Sequence, residues 1–135
     1  MLQRDNILDA VADSWWKKSP RMMEFINHHL NREGAKIFAV EHTFFAAHFP
    51  RWFGNVIANC PYLEVRRYII GNIYGEEGHD PTIDDTHYGS MVKFGEGLGL
   101  SRDEVLNYVP SIPMKMAVHY WDNISRTRPW LEGFA

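Results

Sequence analysis

A chain of 135 residues with one cysteine has room for one domain of the usual ~100–200 residues, and none for a disulfide framework or a multi-cysteine zinc or iron–sulfur site. Fourteen basic against seventeen acidic side chains give a formal charge of −3, so the footprint expected of a nucleic-acid or acidic-membrane binder is absent. No apolar run approaches the ~20 residues of a membrane span, and the polar N-terminus has no apolar signal core, which sets the expectation of a reducing, cytoplasmic compartment.

Apolar spacing is helical nearly throughout. Ile7, Leu8, Val11 and Trp15 form one face of a first helix. Ser19-Pro20 reads as N-cap and first residue of a second, with Met22, Met23, Phe25, Ile26 and Leu30 as its stripe and Gly34 as its stop. A third stretch starts near Ala35 and carries Ile37, Phe38, Val40, Phe44 and Phe45 to a kink or end at Pro50. Trp52 to Ala58 continues helically until Cys60-Pro61. A fourth stretch, Leu63 to Glu77, turns Val65, Ile69, Ile70 and Ile73 inward; its β-branched run has no second strand to pair with. After a break at Gly78–Pro81, Asp84 or Asp85 caps a helix through Met91, Val92, Phe94 and Leu98, stopped by Gly99. Ser101 and Glu104 fit a capping box opening a short helix to about Val109. A last long helix runs from Ile112 to Arg126, and Pro129 interrupts it. The fold expected is all-α, one domain over residues 1–135, with antiparallel helices and short loops.

Seven histidines are more than structure easily needs. Glu41 and His48 lie two turns apart on one helix face, with Thr43, Phe44, Phe45, Ala46 and Ala47 between them. A carboxylate and an imidazole on an apolar face call for a partner, either a metal or hydrogen bonds. Glu76 and Glu77 end a helix where acids oppose the macrodipole, and His87 opens the next one. His79, Asp80, Asp84 and Asp85 crowd the loop between, suited to an oxygen-rich ion site or to an ordinary Asx-capped turn. His42 sits ~100° round the helix from Glu41, so the two do not serve one inner site equally. His28 and His29 read as surface or packing residues, His119 as lining a pocket or merely packing, and Cys60 as a buried, inert thiol. The glycine-rich phosphate loops, the nucleophile elbow and the HExxH zinc motif are absent.

Glu41-His42-Thr43-Phe44-Phe45, then Phe49-Pro50-Arg51, Ala58-Asn59-Cys60-Pro61 and Val65-Arg66-Arg67, resemble the haem-oxygenase-like superfamily. Asn72-Ile73-Tyr74-Gly75-Glu76-Glu77-Gly78, His87, and Phe94 through Leu98-Gly99-Leu100-Ser101 resemble its iron-dependent branch, the diiron oxidases and oxygenases grouped with the TenA, THI-4 and PqqC proteins. The likeness runs from about Ser14 to Phe134. It implies a haem-oxygenase-like helical bundle without haem, Fe(II) held as a diiron centre, and O₂ as cosubstrate. It places the metal ligands at Glu41, Glu77 and His87, with His48, Glu76 and His79 as second choices. The family's third core helix, with its cluster of His and acidic ligands, has no counterpart here; His119, Asp122 and Asn123 have neither its spacing nor its order. The chain thus resembles the N-terminal two-thirds of a usual member, an incomplete catalyst whose bundle a further segment or a second copy completes.

Carboxylate and imidazole ligands with open positions suit non-haem Fe(II), or Mn, and Phe38, Phe44, Phe45, Tyr74, Tyr88 and Trp121 are the expected lining of a dry substrate pocket. The leading expectation is an iron- and O₂-dependent oxidase or oxygenase acting on a small molecule, an amino acid or fatty acid, in a biosynthetic pathway. The alternatives are a metal-free cofactor-biosynthesis enzyme like the PqqC and TenA proteins, and a non-catalytic helical binding or dimerisation protein.

Overall fold

The structure, a computed structural model, describes residues 23–134. The first helix expected from the sequence, the Ser19-Pro20 start of the second, and Met22 lie outside the described residues. The chain divides into two units at Ala35/Lys36. In the first, Phe25–His29 forms a π-helical turn closed by Leu30 N–H donating to the Phe25 carbonyl at 2.9 Å. Asn31 then caps helix α1 (Arg32–Ala46), its Oδ1 accepting from Gly34 N–H at 2.9 Å. Gly34 therefore lies inside a helix and does not stop one. It is glycine because a Cβ there would fall on the His29 carbonyl oxygen.

The second unit holds the rest of α1, then α2 (Phe49–Asn59), α3 (Leu63–Ile73), α4 (His87–Gly97), α5 (Arg102–Leu106), α6 (Ile112–Thr127) and α7 (Trp130–Phe134). The described residues contain no strand; Asp80 and Asp85 pair across one isolated bridge. Pro50 begins α2 and ends nothing, because in the first helical turn its missing N–H has no bond to lose. The run Tyr68-Ile69-Ile70 is helical; Ile69 is fully buried, but Ile70 is 55% exposed, so only one of the pair faces inward. Gly99, at φ 93°, ends α4, a conformation that costs a glycine nothing. The capping box at Ser101 closes in both directions: Glu104 N–H to Ser101 Oγ at 3.2 Å, and Ser101 N–H to Glu104 Oε2 at 2.7 Å.

Two clusters hold this unit. Val40, Val92 and Val105 form one, edged by Tyr88, Leu100 and Tyr108. The other lies where α2, α6 and α7 meet. There Asn55 donates to the buried Ser125 Oγ at 3.0 Å, and a Cβ on Gly133 would stand 3.1 Å from Ser125 Cα. In the first cluster α4 approaches α5 through Gly95, whose Cβ would lie 2.7 Å from Val105 Cγ2. Gly95→Ala is expected to cost about 1–3 kcal/mol by overpacking, read as a lower urea midpoint at unchanged slope.

Candidate active site

The fourth helical stretch does not stay α-helical to Glu77. At Tyr74–Gly78 it opens into a π-helical turn, sealed by His79 N–H donating to the Tyr74 carbonyl at 2.9 Å. The Tyr74 ring covers Gly78 so closely that a Cβ would approach it to 2.7 Å. The next turn is tied by Asp80: its Oδ1 accepts from Thr82 N–H at 2.8 Å and from Thr82 Oγ1 at 2.6 Å, and its own N–H donates to the Asp85 carbonyl at 2.7 Å. Asp84 takes a left-handed φ of 52° to complete the turn. The residue that caps α4 is Thr86, not Asp84 or Asp85: its Oγ1 accepts from Gly89 N–H at 2.8 Å. Asp85 instead accepts from Thr86 N–H at 2.8 Å and pairs with Lys93 at 2.7 Å.

This folding delivers His87 between two carboxylates. Its Nδ1 lies 2.9 Å from Glu76 Oε1 and its Nε2 2.8 Å from Asp80 Oδ2. Both nitrogens face carboxylate oxygens, an arrangement that favours the doubly protonated ring. Its pKa is accordingly raised, first by Asp80 and then by Glu76. The Asp80 carboxyl is drawn down to about 2, chiefly by Thr82 and then by His87. Beside this triad opens a cleft of about 240 Å³, lined by Ala46 and Ala47 at the end of α1, Glu76 and Glu77 of the π turn, and Thr86 and Tyr88. The two alanines leave room, the carboxylates supply charge, and the His87 side chain keeps 44% of its surface open.

The triad sets a pH signature. A histidine pKa raised by folding stabilises the fold fully below its ordinary value of 6.5, and that gain is lost as pH rises through the folded pKa. A depressed carboxyl stabilises above its ordinary 3.8 and loses the gain as pH falls toward about 2. Thermal midpoints are therefore expected to be highest between these limits and to fall on both sides, with His87→Gln flattening the alkaline side.

Glu41, Glu77 and His87 are not brought together as metal ligands. Glu41 Oε1 accepts from the Tyr108 hydroxyl and from Ser111 N–H, both at 2.8 Å, and Oε2 from Ser111 Oγ at 3.1 Å. It is a tie from α1 to the start of α6, and Tyr108 and Ser111 are the partners the sequence did not disclose. Glu77 lines the cleft, while both His87 nitrogens are taken by Glu76 and Asp80. Among the second choices, His48 Nδ1 bonds the Phe44 carbonyl at 2.8 Å, and His79 stands 3.7 Å from the exposed Asp84. Among the described residues no three His, Cys, Asp or Glu side chains group as an ion would need. Glu41 and His87 are thus engaged in internal hydrogen bonds, while Glu77 faces the cleft.

The expected aromatic pocket is also divided. Phe45 and Trp121 line a separate apolar cavity of about 190 Å³ with Phe49, Trp52, Phe53 and Phe134. Tyr88 lines the polar cleft. Phe38 stacks on His42, Phe44 packs on His48 with centroids 4.5 Å apart, and Tyr74 is 62% exposed over Gly78. The signals for this arrangement in the sequence are short: Asp80-x-Thr82 as an Asx turn and Thr86-x-x-Gly89 as a cap, which together fix where His87 begins its helix.

The helical fold agrees with a family that the sequence itself matches. Residues 12–135 match the TENA/THI-4/PQQC family, and the chain belongs to it. Among curated relatives, the pyrroloquinoline-quinone synthase of Klebsiella pneumoniae is 25% identical over 129 residues, 95% of this chain and 51% of that protein. The pyrroloquinoline-quinone synthase of Cronobacter sakazakii is 32% identical over 78 residues, 57% of this chain and 30% of that protein. The chain thus spans about half the length, or less, of the curated relatives it matches. Among the described residues no helix is long and apolar enough to cross a membrane.

Proposed function

We propose that this chain serves a cofactor-biosynthesis enzyme that carries out acid–base chemistry on a small organic molecule, its proton donor being His87. The observation that carries the reading is the imidazolium held between Glu76 and Asp80 at the edge of the cleft. A fixed, charged ring that keeps part of its surface open is suited to protonate an oxygen or ring nitrogen of a bound molecule. The family and the pyrroloquinoline-quinone synthases among its members support the same reading over an iron oxidase, as does the internal use of the carboxylates.

The cleft's groups suggest what kind of molecule fits. Glu77 offers an acceptor for an N–H, and His87 offers a donor for a carbonyl oxygen. A pyrroloquinoline quinone presents both, a pyrrole N–H and quinone oxygens. Titration of pyrroloquinoline quinone into the chain, followed by tryptophan fluorescence and calorimetry, is expected to show saturable one-site binding, weakened roughly tenfold (about 1.4 kcal/mol) in Glu77→Gln. Failure to saturate up to millimolar concentrations overturns the assignment of this molecule to the cleft.

A further inference from the structure

The aromatic cavity where α2, α6 and α7 meet the end of α1 plays no part in the cleft beside His87. Its volume is about 190 Å³, larger than the roughly 150 Å³ that accepts a benzene ring in an apolar protein interior. Six aromatic rings and the bare backbone of Gly133 line it. Close-packed interiors keep few voids of this size. The rings brace one another around it. Phe49 and Phe53 have centroids 4.3 Å apart and Phe53 and Phe134 6.0 Å, while Trp52 meets Phe45 and Phe49 edge-on at 5.1 and 6.1 Å. Phe45 lines this cavity and Ala46 lines the cleft. Successive helix residues diverge by ~100°, so the two spaces open from different faces of α1.

The wall also carries an unmet hydrogen-bonding group. Trp52 is 4% exposed, and no oxygen, nitrogen or sulfur of a described residue accepts from its Nε1–H. That N–H is nevertheless not fully sealed. A buried indole ordinarily finds an acceptor, and one left without it forfeits the bond that water would supply. The other lining side chains are phenyl rings and the half-buried indole of Trp121. The side chains of the wall therefore offer donors, no acceptor and no charge.

We propose that this cavity is a second ligand site, which takes a neutral molecule made of one aromatic ring with a hydrogen-bond acceptor, such as a carbonyl oxygen, on a short substituent. The site is separate from the acid–base cleft and does not depend on the chemistry assigned there. The volume admits one ring and a small group attached to it. Aromatic walls favour a flat guest through offset and edge-to-face contacts. A carboxylate would lose its hydration with no cation to receive it. An ammonium would meet ring faces, but it brings no acceptor for Trp52 and sets positive charge against the positive end of the N–H. Trp52 Nε1–H thus selects an acceptor-bearing guest over a plain hydrocarbon and fixes which way round the ring enters.

The test uses acetophenone as probe. Ethylbenzene has the same ring and nearly the same shape without the oxygen, and tetramethylammonium represents a cation. Each is added to the ¹⁵N-labelled chain while the indole N–H signals are followed by NMR, the Trp52 signal being identified by its loss in Trp52→Phe. Acetophenone is expected to move that signal saturably and to bind ~2- to 10-fold more tightly than ethylbenzene, the worth of one hydrogen bond. In Trp52→Phe the preference should vanish while ethylbenzene still binds. Glu77→Gln should leave both affinities unchanged, which separates the cavity from the cleft and from the binding of pyrroloquinoline quinone. If the Trp52 signal stays in place as acetophenone is raised to its solubility limit, the site is overturned. Equal affinity for acetophenone and ethylbenzene in wild type, or a preference for tetramethylammonium, overturns the ligand class. If Trp52→Phe does not fold, sequential assignment of the wild type identifies the same signal, and the ratio of the two affinities decides alone.

Discussion

Trp52→Ala is expected to remove most of the stability of the unit that holds α2, α6 and α7. Trp52 is 4% exposed. It meets Phe45 edge-on at 5.1 Å, Phe49 edge-on at 6.1 Å and Trp121 at 6.4 Å. Truncating a buried ring of this size costs about 3–5 kcal/mol, a large part of the ~5–15 kcal/mol that holds an ordinary domain. At ~4–8 °C per kcal/mol for a domain of this size, the thermal midpoint should drop by tens of degrees. Circular dichroism at 222 nm against temperature reads this directly, and Trp52→Phe, which keeps a ring in place, should recover much of the loss. A drop of only a few degrees in Trp52→Ala would mean that these rings do not form a common core.

His87→Gln is expected to abolish activity while leaving the helical content intact. Glutamine fills similar space and can donate to one carboxylate, but it carries no charge and no titratable proton. The loss should be ~10²–10⁴-fold, the usual contribution of a positioned acid or base. Asp80→Asn should cost less, since Glu76 still holds Nδ1 of the ring. Its mark is a downward shift of the pH limb that His87 sets, because Asp80 is the larger of the two influences raising the histidine. A steady-state pH profile of both variants separates loss of the proton from loss of its alignment.

The helices were legible wherever local rules govern. The capping box at Ser101, the stop at Gly99 and the β-branched run of α3 follow from spacing and backbone preference alone. The misreadings arise where a residue type has two uses. Gly34 serves close approach inside a turn rather than termination, and Pro50 suits a helix start as well as it suits an end. The site was half legible. Glu76, Glu77 and His87 were marked by their awkward charge placement, and two of them do line the cleft. A sequence does not show what a carboxylate already holds. Glu41 finds Tyr108 and Ser111, 67 and 70 residues away, and no local pattern announces such a tie.

The turn at Tyr74–Gly78 carries one residue more than an α-helical turn would need for the same advance. It acts as a phase shift in the helix. Residues before it keep the stripe that buries Ile69, and the turn itself brings its two adjacent glutamates to the cleft. The acidic wall of the cleft is therefore one codon deep. Loss of a single residue between 74 and 78 would restore the α phase and swing the following carboxylate ~100° round the axis, away from His87.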